Sequence, residues 1–320
     1  MNKKLTVSGK IVVFFACLLL LTASTPAQIT LRNAVDIDGD KKADFSVFRQ
    51  SDSVWYFLKS GGGFTFQQFG IADTDFPTPG DFDGDGKADV AVFRDTNGVW
   101  YRLNSSNGAF SAVQFGITGD EPIARDYDGD GQTDIAVVRR TNGAMIWYIL
   151  GSKTGFTSAQ FGIAADYTAP GDYDGDGRFD LAVQRVGTNP TDPATFYIFQ
   201  SKTNTLQVAT FGFSQDLVVP GDYDGDGKTD IAVVREGATL SDNLIWYILG
   251  SRAGFMSYSF GLTGSDLTVQ NDYDGDGKTD IAVWRDTNGT FYFIKSSDGT
   301  VGSVQWGKEG DFPTAGYDTH

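Results

Sequence analysis

The sequence predicts an all-β fold, a β-propeller of four-stranded antiparallel blades, six of them, and three observations lead there. The pattern D-x-D-G-D-x-x-x-D begins at Asp36, Asp81, Asp126, Asp172, Asp222 and Asp272, so the 320-residue chain repeats itself every 45 to 50 residues. Each copy runs on into the same three features: an apolar stretch ending in arginine, an aromatic pair, and an aromatic-glycine step. One residue in eight is glycine and 14% are aromatic, which suits short strands and tight turns, because glycine is costly inside a helix.

The elements of a unit follow in order. The arginine stands thirteen residues after the first aspartate: Arg49, Arg94, Arg139, Arg185, Arg235 and Arg285. The aromatic pairs are Trp55-Tyr56, Trp100-Tyr101, Trp147-Tyr148, Phe196-Tyr197, Trp246-Tyr247 and Phe291-Tyr292. Each unit closes on an aromatic-glycine step, at Gly70, Gly116, Gly162, Gly212, Gly261 and Gly307. In the second unit this spacing predicts strands at about Pro77–Phe82, Asp89–Arg94, Val99–Leu103 and Ala109–Phe115. They are joined by Asp/Gly-rich, Thr96-Asn97-Gly98 and Ser106-Asn107-Gly108 turns. Runs such as Val90-Ala91-Val92-Phe93 are continuously apolar, as strands covered on both faces are. Sheets stacked face to face and closed in a ring bury one another and leave no end sheet exposed.

Residues 28–320 therefore read as one array. Asp311 to Gly316 repeats the first strand of a unit, echoing Asp75 to Gly80; Tyr317 then stands where a loop aspartate is expected, and the chain ends at His320. That strand is expected to help close the ring, with a seven-bladed ring carrying an incomplete last blade as the alternative. Residues 1–27 read as a secretory signal peptide. Lys3, Lys4 and Lys10 precede an apolar run from Ile11 to Leu21, too short to span a bilayer, and small residues lead to Ala27. The expectation is an exported protein (secreted, periplasmic or at the cell surface), with no membrane span after cleavage and no cysteine beyond Cys17 to form a disulfide.

Composition excludes several function classes. With 41 acidic against 25 basic residues, the formal charge of −16 argues against a nucleic-acid partner. His320 is the only histidine and the last residue, which argues against histidine-based nucleophilic catalysis and histidine zinc sites.

The aspartate loops carry the strongest chemical signal. Carboxylates at loop positions 1, 3 and 5 converge on one point, position 9 closes the cage, and the backbone carbonyl at position 7 adds a further oxygen. The candidate ligands are Asp36, Asp38, Asp40, Lys42 and Asp44 in the first loop and Asp81, Asp83, Asp85, Lys87 and Asp89 in the second. They are Asp126, Asp128, Asp130, Gln132 and Asp134 in the third, and Asp172, Asp174, Asp176, Arg178 and Asp180 in the fourth. The last two loops supply Asp222, Asp224, Asp226, Lys228 and Asp230, then Asp272, Asp274, Asp276, Lys278 and Asp280. An all-oxygen, carboxylate-crowded cage suits Ca²⁺ better than Mg²⁺. Four aspartates in each of six loops make up 24 of the 41 acidic residues, and such crowding repels unless a cation neutralises it. The expectation is up to six Ca²⁺ ions. The first loop is the doubtful one, because Lys41 stands where the others have glycine, and a lysine is strained if that position requires a positive φ.

Together, the aromatic-glycine steps, the aspartate loops and the apolar strand after each loop resemble the FG-GAP (VCBS-type) repeats of integrin α-chain propellers and of many secreted bacterial proteins. The resemblance covers essentially all of residues 28–320. It implies a propeller with Ca²⁺ in the loop between the first and second strands of each blade, and work in adhesion, ligand binding or scaffolding.

The partner is then a protein or a glycan, and an enzyme is not expected. The step from arginine to aromatic pair lengthens in three consecutive units, at Arg139–Trp147, Arg185–Phe196 and Arg235–Trp246, which predicts a raised lip on one face. Val186–Thr195 and Glu236–Leu244 are the candidate partner loops. The repeated arginines are expected to pair with carbonyls or aspartates at blade joints, and the aromatic pairs to be core. A lectin is the alternative, with Phe196 and Tyr197 as its only hint. A glycosidase is weaker still, since Glu121, Glu236 and Glu309 are the only glutamates.

Overall fold

The structure is a computed structural model that describes residues 35–314; the segment read as a signal peptide and Tyr317 lie outside them. Six four-stranded antiparallel sheets form the blades of a ring. Blade two shows the plan, with strands Asp75–Pro77, Val90–Arg94, Val99–Leu103 and Phe110–Gln114 paired in that order. Its first strand is shorter and earlier than the sequence spacing suggested. Pro77 and Pro79 have no N–H for the ladder, so beyond Pro77 pairing survives only as the Thr78 N–H bond to the Ala91 carbonyl and an isolated bridge at Gly80.

Ring closure decides between six and seven blades. The first blade is ordered Asp311–Pro313, Phe45–Arg49, Val54–Leu58, Phe64–Gln68, so the chain's last strand supplies the first strand of its first blade. Phe48 lies opposite Phe312, and the Thr314 N–H donates to the Ser46 carbonyl at 3.0 Å. Asp311–Pro313 completes blade one rather than beginning a seventh.

The core consists of apolar clusters between neighbouring blades. One of them joins Val47 and Phe45 of the first blade to Trp284, Phe291 and Phe293 of the last. The first aromatic of each pair (Trp55, Trp100, Trp147, Phe196, Trp246, Phe291) is fully buried, as core residues are. Where it is Trp55, Trp100, Trp147 or Trp246, the indole N–H donates to the carbonyl of the aromatic that precedes the closing glycine, at 2.9–3.0 Å. The aromatic pair and the aromatic-glycine step are thus one device, in which the glycine step folds back to satisfy a buried donor.

The arginines pair with aspartates, as expected, but within blades rather than at the joints between them. Each makes a bidentate ion pair inside its own blade, with an aspartate at the start of the first strand: Arg94 with Asp75, Arg139 with Asp120, Arg185 with Asp166, Arg235 with Asp216 and Arg285 with Asp266. Arg49 reaches Asp311, across the closure of the ring, at 2.7 and 2.8 Å. The same aspartates accept the N–H that follows the closing glycine, as Asp75 does from Ile71 at 2.8 Å. Each guanidinium also lies over the tyrosine of its aromatic pair, 4.2 Å from the ring centroid for Arg49 and Tyr56.

The long arginine-to-aromatic steps resolve into two classes. In blade three the two extra residues lengthen the strands to Ile135–Thr141 and Ala144–Gly151, joined by a tight Asn142-Gly143 turn with both residues at positive φ. No raised loop forms there. In blades four and five the insertions build two loops of the same design. The Asp192 carboxylate takes the Asn189 N–H and the Asp242 carboxylate takes the Thr239 N–H, each at 2.8 Å. The Gly187 N–H donates to the Ser214 hydroxyl and the Gly237 N–H to that of Thr263. The lip is therefore two adjacent, internally bonded loops, on the opposite face from the aspartate loops because it joins the other ends of the strands.

Candidate metal centres

Each aspartate loop leads into the second strand of its blade, and its turn is shaped by its own first carboxylate. In the second loop, Asp81 Oδ1 accepts the Gly84 N–H at 2.6 Å and Oδ2 the Gly86 N–H at 2.8 Å. The same pattern holds for Asp36, Asp126, Asp172, Asp222 and Asp272. Curling the chain around one carboxylate puts the glycine at position 6 in the left-handed region, with φ of 82–85° from Gly86 to Gly277. Lys41 is held there too, at 67°, so the strain expected of the first loop is present. Lys41→Gly is expected to stabilise the protein by about 1 kcal/mol, the cost of a left-handed L-residue less the extra freedom glycine gains when unfolded, and a urea titration reads it directly.

In five of the loops three of the four expected carboxylates converge. Carboxylate oxygens of Asp36, Asp38 and Asp40 lie within 4.8 Å of one another, and so do those of Asp81, Asp83 and Asp85 and of Asp222, Asp224 and Asp226. In the third and fourth loops position 9 joins the group, as Asp126, Asp128 and Asp134 and as Asp172, Asp174 and Asp180. Position 5 (Asp40, Asp85, Asp130, Asp176, Asp226, Asp276) accepts the position-7 backbone N–H, from Lys42, Lys87, Gln132, Arg178, Lys228 and Lys278, at 2.9–3.0 Å. Position 9 (Asp44, Asp89, Asp134, Asp180, Asp230, Asp280) spends one oxygen on the position-2 N–H and the other on a serine N–H from the turn between the third and outer strands.

Those serines are partners of the loop aspartates that sequence reasoning missed. Ser60, Ser105, Ser152, Ser201, Ser251 and Ser296 each donate the hydroxyl to the position-5 aspartate of their blade, at 2.7–3.0 Å. Their signal was present, since each lies four residues after the tyrosine of the aromatic pair.

Position 3 is where buried oxygens lack donors. Oδ1 of Asp38, Asp83, Asp128, Asp174 and Asp224 is buried and accepts no hydrogen bond. In the sixth loop Asp274 Oδ1 takes the Asp276 N–H at 3.2 Å. A buried carboxylate oxygen facing further carboxylates and no donor is unfavourable alone and is what a cation ligand requires. The residues present fit a hard divalent cation.

Electrostatics say the same. Burial, offset in part by loop N–H groups, raises the position-1 aspartates above the usual carboxylate range. Position 9 is raised further by burial and by neighbouring aspartates, to about 6 for Asp134, Asp180 and Asp280 and about 7 for Asp230. A folded pKa above the unfolded one means that the folded state holds more protons between roughly pH 4 and 7, so stability falls as pH rises through that window. Metal-free protein is therefore expected to melt higher at pH 5 than at pH 8. Saturating divalent cation should cancel or reverse that slope, because the cation takes the protons' place; melts across this range in metal-free and metal-saturated buffers check both signs.

The loops are also bonded to one another. The N–H at position 8 of each loop donates to the position-1 carbonyl of the preceding one: Ala88 to Asp36, Thr133 to Asp81, Phe179 to Asp126, Thr229 to Asp172 and Thr279 to Asp222. Ala43 closes the circuit by donating to Asp272, and all six bonds measure 2.6–2.8 Å.

Residues 36–92 and 126–183 match the FG-GAP-like repeat, and each matched span runs from one aspartate loop through the next. These two stretches are FG-GAP-like repeats. The matches take in four of the six loops, and the other units place the same residue types at the same offsets. No curated protein matches the sequence. Among solved structures, AofleA from Arthrobotrys oligospora is 11% identical, with 85% of this chain and 88% of that chain covered and a TM-score of 0.51. AztD from Citrobacter koseri is 10% identical over 83% of each chain, with a TM-score of 0.46. A putative 6-phosphogluconolactonase from Bacteroides uniformis is 10% identical over 83% of this chain and 84% of that one, also with a TM-score of 0.46. The likeness to AofleA is one of fold alone.

Proposed function

We propose that this chain is an exported calcium-binding propeller that serves as an adhesion, ligand-binding or scaffolding module, with Ca²⁺ stapling the blade loops. The observation that carries the reading is the row of buried, unpartnered position-3 oxygens in loops whose position-1 and position-9 carboxylates are already bonded to N–H groups, as those of Asp81 and Asp89 are. Ca²⁺, when bound, supplies charge neutralisation and ties each loop to the serine turn of its own blade. The aspartates orient the cage, and the position-7 carbonyls remain candidate ligands beside them. Export rests on the basic and apolar N-terminal segment, which lies outside the described residues; among the described residues no helix is long and apolar enough to cross a membrane.

The ligand side is proposed at the twin loops of blades four and five, where Thr188, Asn189, Thr239 and Leu240 are exposed on bonded frames. Replacing residues 186–192 and 236–242 by the short turn of blade two tests this. Binding to matrix-protein or glycan arrays is expected to disappear while the melt stays unchanged. Binding that survives the replacement moves the ligand site elsewhere.

A carbohydrate ligand is the second reading, supported by Phe64, Phe110, Phe156 and Phe255, which recur at the start of the outer strand and are 61–68% exposed. Phe196 and Tyr197 do not support it, because Phe196 is fully buried and Tyr197 lies beneath the Arg185 guanidinium. The glycosidase reading gains nothing from Glu121, which is buried in an ion pair with Arg140 and takes the Thr168 hydroxyl at 2.7 Å.

A further inference from the structure

We infer that the six aspartate loops bind their cations as one coupled ring, so that filling one loop raises the affinity of the loops on either side. The inference rests on the calcium reading above and concerns how those sites are regulated.

Two contacts link each loop to the one before it, and neither is a ligand contact. The first is the backbone bond already described. Position 1 offers its side chain to its own loop and its carbonyl to the next, so the Asp222 carboxylate shapes the fifth loop while its carbonyl receives the Thr279 N–H of the sixth at 2.7 Å. The second is packing. The position-7 side chain lies across the position-4 glycine of the preceding loop, so closely that a Cβ on Gly225 would stand 2.6 Å from Lys278 Cε. Lys228 covers Gly175 in the same way, and Lys42 covers Gly275 across the ring closure. Position 7 thus joins its own cage, where its N–H meets the position-5 carboxylate, to the turn of its neighbour.

A cation that fixes positions 1, 3 and 5 of one loop therefore fixes the carbonyl that holds position 8 of the next. Ordering already achieved in one loop is ordering the next site does not have to provide, which is positive cooperativity. The circuit has no end, because Ala43 returns the bond to Asp272. That the sites are cation sites does not depend on the acidic cluster alone: Asp128 and Asp224 are 5% exposed, and each holds an unpartnered oxygen aimed into its loop. Electrostatics oppose the coupling, since each bound cation weakens the negative field felt by the next. Positive cooperativity can then arise only through the mechanical links.

The test is calorimetric Ca²⁺ titration of the full chain and of a variant with one loop disabled, Asp224→Asn with Asp226→Asn, together with amide exchange at Thr279. The intact protein is expected to bind with a Hill coefficient above 1. The variant should bind its remaining ions at least about fivefold more weakly, the lower end of ordinary site-to-site coupling, and the Thr279 amide in the untouched sixth loop should lose protection. Fewer ions bound at unchanged affinity, with Thr279 still protected, would overturn the coupling and leave the calcium reading intact. No Ca²⁺ bound by the intact protein would overturn both. Should the double variant fail to fold, Lys278→Gly, which removes the packing and no ligand, is read against Lys278→Met: coupling lost only in the glycine variant supports the inference, and coupling retained in both contradicts it.

Discussion

Adding Ca²⁺ to the metal-stripped protein is expected to raise its melting temperature by on the order of 15 °C, and Mg²⁺ by far less. A site filled at a hundred times its dissociation constant stabilises the fold by about 2.7 kcal/mol, so three such sites contribute about 8 kcal/mol. In a chain of this length each kcal/mol is worth roughly 2 °C. Mg²⁺ resists dehydration and requires near-octahedral geometry, which cages crowded with four aspartates do not offer. The position-3 carboxylate provides a sharper form of the prediction. Asp128→Asn removes a buried charge from a cluster that includes Asp126 and Asp134 and keeps an oxygen for the Thr154 N–H, which Asp128 accepts at 2.9 Å. Without metal this change should destabilise the protein slightly, because the Thr154 and Lys153 N–H groups and the Lys153 charge hold the Asp128 carboxyl below the usual carboxylate range despite its burial. With saturating Ca²⁺ it should destabilise it several times more, by removing a ligand. An effect of the same size in both conditions would mean that the loops are turns held by their own carboxylates.

Removing Asp311 to His320 is expected to be the most damaging change to the apo fold. The truncation strips the first blade of its first strand, exposes Phe45–Arg49 as an edge, and removes both carboxylate oxygens that hold Arg49. Asp311 is fully buried at its side chain and Arg49 mostly so, and breaking a buried ion pair by removing one partner costs about 3–5 kcal/mol. Asp311→Ala should therefore lower the melting temperature by roughly 6–10 °C. The truncation should go further and yield an aggregating, non-cooperatively melting species, because the apolar cluster between the last and first blades loses its closure. A truncated protein that melts within about 2 °C of the full chain would show that the ring does not depend on its terminal strand.

How much of this was legible in the sequence depended on whether a feature repeats and whether side chains carry it. The blade count and the four-strand plan were legible because Asp, Arg, Trp-Tyr and Phe-Gly recur at fixed offsets. The closing role of Asp311–Pro313 was legible because it copies the start of blade two. The Asp75-type partners of the arginines were not seen, although one lies nineteen residues before each arginine from Arg94 to Arg285; in the first blade the partner is at the other end of the chain. In the loops, the aspartates were legible from their fixed offsets, and three of the four in each of five loops converge; the serines behind them were hidden by their commonness. The links between loops could not be read at all, since a backbone N–H and carbonyl leave no mark on residue identity. The extra length in blade three misled because two residues inserted beside Asn142-Gly143 extend a hairpin as readily as they raise a loop.

The central claim is that the aspartate loops are calcium sites, and counting the ions tests it most directly. The folded protein would be dialysed against buffer containing micromolar Ca²⁺ and excess Mg²⁺, and its bound metal measured by elemental analysis. The expected result is several Ca²⁺ per chain, up to six, with the first loop, strained at Lys41, the last to fill. Less than one Ca²⁺ per folded chain, at concentrations where the protein is stable, would contradict it.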